Sequence, residues 1–252
     1  MKLVMKGNCL KVAAGMLAAV AICGCGSSEK SVRMITEAMF PPCEFLRGQE
    51  IVGVDVEVCK AVAAKLNKPF SVENVSFDAV IPGVVSGKAD IAAAGLTITE
   101  DRKNSVDFSE PYVKTGIVII YKKSNPFLTG AACKGKKVGV QGGTTADEYT
   151  VKELGQEPER FPSFAEGVAA LKSGRCDLVM CDIVPARNCI KGEEDLALSD
   201  FVTSEEYALA IRKGQPELLK AINETIAELK ASGQLERWIA AYTEETGRLK
   251  GK

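Results

Sequence analysis

Histidine is missing from all 252 residues, and tryptophan occurs once. Without histidine there is no ordinary general base near neutral pH and no imidazole metal ligand. Ser-His hydrolases and histidine-ligated metal enzymes are therefore excluded. An excess of one charge is missing too: the net formal charge is −1. No single-sign field exists to draw a nucleic acid or an acidic polymer, so no nucleic-acid partner is expected. No apolar run reaches the roughly 20 residues that a membrane-spanning helix needs. Neither G-x-x-x-x-G-K-[ST] nor G-x-G-x-x-G occurs, which removes the common nucleotide fingerprints. The cysteines form no CxxC pair and no zinc spacing. No cofactor and no metal are expected.

What is present is an ordinary globular composition, 46% hydrophobic and 26% charged. The length suits one large domain or two medium ones. The N-terminus stands apart. Met1 to Lys11 carries Lys2, Lys6 and Lys11 and no acid, and Val12 to Ile22 is apolar. A positive start followed by a short apolar run is the pattern of an export signal. Ile22-Cys23-Gly24-Cys25 then resembles a bacterial lipobox, in which the cysteine is lipidated and becomes the first mature residue. Residues 1–24 are expected to be a lipoprotein signal peptide and residues 25–31 a lipidated flexible linker. A plain signal peptide cut near Gly24 is the alternative. Either way the mature chain is exported, and lipidated Cys25 would hold it at the outer face of the cytoplasmic membrane or in the periplasm.

Six further cysteines follow, Cys43, Cys59, Cys133, Cys176, Cys181 and Cys189. Disulfides and scattered thiols are both open. Cys176 and Cys181 read as part of one strand, where an odd separation places them on opposite faces and keeps them from bonding to each other.

The mature segment alternates short β runs with helical patterns, which predicts an α/β fold with mostly parallel sheets. Two blocks echo each other. "AVIPGVVSGKADIAAAG" and "GVAALKSGRCDLVMCD" both read helix, Ser-Gly-basic turn, Asp, then apolar strand. Two similar lobes follow, with one crossing near Val113–Ile117 and a second near Ser204–Ala208. Lobe 1 is expected over 32–115 and 206–252, and lobe 2 over 116–205. Two nearly parallel connecting strands would form a hinge, with the ligand between the lobes.

The stretch "GLTITEDR" holds one residue out of place. Thr99 suits a helix N-cap, and Glu100 and Asp101 suit the positive helix end. Arg102 opposes that dipole. It is either a surface charge paired with Glu100 or Asp101, or a fork placed to hold a carboxylate. Thr97 adds a hydroxyl donor, and Gly95 lets a ligand approach bare backbone. In "QGGTTADEY", a Gly-rich turn leaves the Thr144 and Thr145 N–H groups facing outward. Asp182 ends the strand "DLVMCD", at the sheet edge where ligands gather. It suits an ammonium group, or else it caps the helix over "IVPARN". Arg102 and Asp182 together describe a site for a zwitterion.

These residues carry a resemblance. The chain from about Val32 to Tyr242 resembles the bacterial periplasmic amino-acid-binding proteins of ABC transporters, the solute-binding family 3 group. The likeness rests on "EAMFPPCEF", "IVGVDVEVCKAVAAKL", "FDAVIPGVVSGKADIAAAGLTITEDRKNSVDFSEPY", "VGVQGGTT" and "ELLKAINETIAELKASGQLERWIAAY". It implies the type II two-lobed binding-protein fold, with the lobes closing over the ligand. It implies that Arg102, Thr97 and the Thr145 N–H hold an α-carboxylate. Asp182 and the Gly95 carbonyl would hold the α-ammonium. Phe40 and Phe77 would sandwich the ligand side chain, and Glu37 and Gln141 would face it. Cys43 departs from the family, which commonly has an aromatic there. Glu37 between two aromatics favours a basic side chain, arginine, lysine or histidine, by charge and cation–π contact. Glutamine is the runner-up. The implied partners are a free amino acid, an ABC permease and, through the lipid, a membrane; the receptor itself is expected to be a monomer. The chain is not expected to be an enzyme. A dehydratase-like enzyme of related fold and a sensor domain are the rivals, the sensor needing a partner to signal through.

Overall fold

The computed structural model describes residues 30–249. The signal segment, Cys25 and most of the linker lie outside them. Lobe 1 begins with β1 (Val32–Thr36), β2 (Met39–Phe40), β3 (Glu44–Arg47), β4 (Glu50–Val52), α1 (Val54–Lys65) and β5 (Phe70–Asn74). It continues through α2 (Phe77–Val85), β6 (Ile91–Ala92), α3 (Glu100–Lys103) and β7 (Val106–Phe108). The connecting strand β8 (Val113–Thr115) leads to β9 (Ile117–Lys122), β10 (Val138–Gln141), α4 (Thr145–Lys152) and β11 (Glu159–Phe161). Lobe 2 ends with α5 (Phe164–Ser173), β12 (Leu178–Asp182), α6 (Ile183–Ile190) and β13 (Leu196–Leu198). The return strand β14 (Glu205–Tyr207) is followed by β15 (Ala210–Arg212), α7 (Pro216–Ala231) and α8 (Gln234–Leu249).

The two main sheets have the same plan. Their orders are β5-β1-β6-β15-β7 and β11-β10-β12-β9-β13. In each, four strands run in one direction and the fourth in the order, β15 or β9, runs against them. The sheets are mostly parallel by strand direction, and the one reversed strand makes each of them mixed. β9 and β15 are reversed because the chain enters each one straight from a crossing strand, without a covering helix to turn it round. The sequence echo has a physical basis. Asp90 Oδ2 accepts the Arg33 N–H at 3.0 Å, and Asp177 Oδ2 accepts the Lys137 N–H at 2.8 Å. The repeated aspartate ties each third strand to the start of its first.

Side-chain alternation builds the cores. On β9, Ile117, Ile119 and Tyr121 join one cluster, and Val118 and Ile120 join the cluster on the other face. Burying each such side chain contributes about 1.5–3 kcal/mol. In lobe 1, Val54, Val58 and Val62 of α1 pack on one face of the sheet, while Val80 and Val84 of α2 pack on the other. Ile222, Ile226 and Leu235 join the α1 cluster, so the C-terminal helices return to lobe 1.

Four local expectations are corrected. The connecting strands β8 and β14 pair antiparallel, Glu205 opposite Thr115 and Tyr207 opposite Val113. The chain leaves lobe 1 on one and returns on the other, so their directions must oppose. The run "DIAAAGL" forms only a two-residue strand, since it leaves the sheet early to build the site. The run "YALAIRKG" is split between β14 and β15. Cys176 precedes β12, so the alternation argument does not reach it, and it shares a cluster with Cys181. No disulfide joins the six described cysteines. No described helix is long and apolar enough to cross a membrane.

Candidate functional site

Ligand-facing residues of an open α/β sheet collect beyond the carboxyl ends of its parallel strands. Glu37 follows β1, Gly95 and Thr97 follow β6, Gln141 ends β10 and Asp182 ends β12. The lobes face each other across these edges. Phe40, Phe77, Gly95, Thr97, Arg102, Gln141, Thr144, Thr145 and Asp182 all line one interlobe cavity, joined by Phe164, Glu205 and Tyr207. Of the ten ligand-facing residues expected from the sequence, only Glu37 is absent from that lining.

Thr99 caps α3, accepting the Arg102 N–H at 3.2 Å. This turn aims the Arg102 side chain back across the cleft. Its guanidinium donates to the Thr97 carbonyl at 2.8 Å and to the Gly143 carbonyl of the other lobe at 3.2 Å. It also stacks over the Phe77 ring, 5.7 Å from the centroid. Glu100 pairs instead with Lys103 and Asp101 with Lys152, each at 2.8 Å. Among the described residues no carboxylate comes within ion-pair distance of Arg102. Burial holds its pKa below the usual arginine value.

Asp182 both caps a helix and faces the cavity. Its Oδ1 accepts the Val184 N–H at 2.8 Å, and Thr115 Oγ1 lies 2.7 and 2.6 Å from its two oxygens. Burial pushes its pKa up to about 6, against these hydrogen bonds. Among the described residues it has no cationic partner. The cavity thus has a cation on one wall and an acid on another, neither of them in an ion pair among the described residues.

Gly95 needs to be glycine. Its φ of 55° is left-handed, and a Cβ there would stand 2.7 Å from Phe40. Its N–H donates to the buried Asp55 at 3.1 Å. Thr144 caps α4, accepting the Asp147 N–H at 3.4 Å and donating to the Gln141 carbonyl at 2.8 Å. Thr145 follows at the first turn, where N–H groups lack partners within the helix. The Phe40 ring packs against Phe164 and Tyr207, with centroids 6.0 and 5.9 Å away.

Glu37 lies behind Gln141, whose Nε2 donates to both of its oxygens at 3.0 and 2.9 Å. Burial raises the Glu37 pKa, and the Gln141 hydrogen bonds oppose the rise. Glu37 lines a second, adjoining cavity with Pro41, Ser163 and Asn188. Gln141 and Phe164 border both cavities.

Four further residues, Phe164, Thr115, Glu205 and Tyr207, complete the site without belonging to the motifs above. Phe164 opens α5 as Phe77 opens α2, so the internal echo marks it as the lobe 2 counterpart. Thr115, Glu205 and Tyr207 lie on the connecting strands, where residues two apart share a face. Alternation across the second crossing pairs Glu205 with Tyr207.

Two lobes, two antiparallel connectors and an interlobe site with converging opposite charges define a small-molecule-binding protein of the two-lobed type. The model of the bacterial extracellular solute-binding proteins, family 3, matches residues 32–245, and the chain belongs to that family. It is 30% identical over 250 residues to a probable histidine-binding protein of Neisseria gonorrhoeae, covering 91% of this chain and 93% of the relative. It is 32% identical over 240 residues to the arginine-binding extracellular protein ArtP of Bacillus subtilis, covering 90% and 94%. The arginine-bound form of truncated ArgBP from T. maritima superposes with a TM-score of 0.74 at 37% identity, covering 79% and 96%.

Proposed function

We propose that the protein is an extracytoplasmic receptor that takes a free L-amino acid between its lobes and delivers it to an ABC importer. The observation that carries this reading is the pairing of Arg102 and Asp182 across one cavity. Each lacks an ionic partner among the described residues, and an α-amino acid supplies both missing charges. Arg102, Thr97 and the Thr145 N–H take the carboxylate, and Asp182 with the Gly95 carbonyl takes the ammonium. Phe40 and Phe77 flank the side chain. A basic side chain would run past Gln141 toward Glu37, and the histidine- and arginine-binding relatives support that direction.

Glutamine is the second reading. The amide of Gln141 already donates to Glu37, the contact a ligand amide would make. Titration calorimetry with the twenty amino acids, on protein stripped of bound ligand, separates the two. Tightest binding of aspartate or glutamate sinks both, and no binding at all sinks the receptor reading.

Residues 32–115 with 206–252 serve as lobe 1 and 116–205 as lobe 2, closing about β8 and β14. The closed form docks on the permease as a monomer. The role is capture rather than chemistry, in line with a family of solute-binding proteins; conversion of a bound amino acid, read by NMR, would overturn it. Cys25 carries the lipid. Cys25→Ser should abolish acyl labelling and release the protein from the membrane fraction.

A further inference from the structure

Glu205 sits on β14 with its side chain in the interlobe cavity. Its Oε2 accepts from Thr97 Oγ1 at 2.7 Å and from Thr145 Oγ1 at 3.0 Å. Thr97 belongs to lobe 1 and Thr145 to lobe 2. A single carboxylate oxygen therefore joins hydroxyls of both lobes. Of the charges that act on the Arg102 guanidinium, that of Glu205 is the strongest. Thr97 and Arg102 are assigned above to the ligand's α-carboxylate, and so is the N–H of Thr145, beside the hydroxyl that Glu205 engages.

We propose that Glu205 is a tethered stand-in for the ligand carboxylate, holding the lobes together through Thr97 and Thr145 until an incoming amino acid displaces it. The proposal rests on the amino-acid-receptor reading. Two carboxylates cannot both take the single proton of the Thr97 hydroxyl, and like charges this close repel. Displacement needs only a side-chain rotation. Glu205 also borders an outer cavity lined by Lys103 and Lys114, which offers the displaced group cations. A self-occupied closed state lowers apparent affinity by the fraction of molecules that adopt it. In a receptor that must surrender its cargo, that competition also favours release. A plain brace for β14 is the competing account, since Thr203 Oγ1 lies 3.4 Å from Oε1. The two accounts predict opposite effects of removing the carboxylate.

The test uses L-arginine and agmatine, which is arginine without its carboxylate. Both are titrated into stripped wild type, Glu205→Gln and Glu205→Ala, and each protein is measured without ligand by small-angle scattering. Loss of one charged competitor should tighten L-arginine binding about tenfold. Agmatine should show no gain, and both variants should have a larger radius of gyration than wild type. Unchanged or weaker L-arginine binding in both variants, or an equal gain for agmatine, overturns the proposal and leaves the receptor reading intact. If wild type itself fails to bind L-arginine, the basic-ligand reading falls, and the scattering decides: equal radii overturn the tether, and larger radii in the variants support it.

Discussion

The Arg102 guanidinium and the Asp182 carboxylate face one cavity from opposite lobes, and neither meets an ion-pair partner among the described residues. Charges left buried and unpaired are costly, so the arrangement stores affinity for a molecule carrying both complements.

Arg102→Ala should weaken amino-acid binding by about 3–5 kcal/mol, the cost of breaking a buried pair. Arg102→Lys should recover only part, because an ammonium cannot match a carboxylate bidentately. Calorimetry reads both. Wild-type affinity in the alanine variant would place the site elsewhere.

Asp182 makes affinity depend on pH. Its folded pKa of about 6 lies above the ordinary 3.8. The ammonium needs the ionised form, so affinity should rise with pH through about 6 and level off above it. Stability runs the other way. Between these two values the folded state holds more protons than the unfolded one, so Asp182 removes stability as pH rises. Asp182→Asn should flatten both dependences, measured by calorimetry and by thermal unfolding from pH 4 to 8.

Glu37→Gln should shift selectivity. The basic ligand loses its charge partner while an amide keeps a hydrogen bond, so the arginine-to-glutamine affinity ratio should fall about tenfold or more. An unchanged ratio would mean that the ligand side chain never passes Gln141.

Gly95→Ala should destabilise the fold by about 1–3 kcal/mol, through strain at positive φ and the clash with Phe40. Urea unfolding measures the loss. Affinity should drop as well, since the Gly95 backbone is displaced from its contact with Asp55.

Local residue patterns carried much of this. Apolar alternation on β9, Gly233 between α7 and α8, Pro216 at the start of α7 and the cap Thr99 are written in neighbouring residues. The Gly-x-Thr-x-Thr-x-x-Arg spacing marked the lobe 1 half of the site for the same reason: one turn positions it. The repeated Asp before β6 and β12 announced the doubled architecture.

Long-range geometry was not legible. Nothing near Gln141 in the chain says that its amide would rest on Glu37, more than a hundred residues away, or that Glu37 would occupy a separate cavity. Glu205 reads as an ordinary acid until the crossing strand brings it between Thr97 and Thr145. The sequence by itself determined most of the elements, their doubling and the residue types that line the cleft, because those depend on local backbone preference and periodicity. The tertiary structure alone decided which of those groups stay unpaired and which are already occupied by the protein's own side chains. That depends on distances between residues that no local interaction constrains.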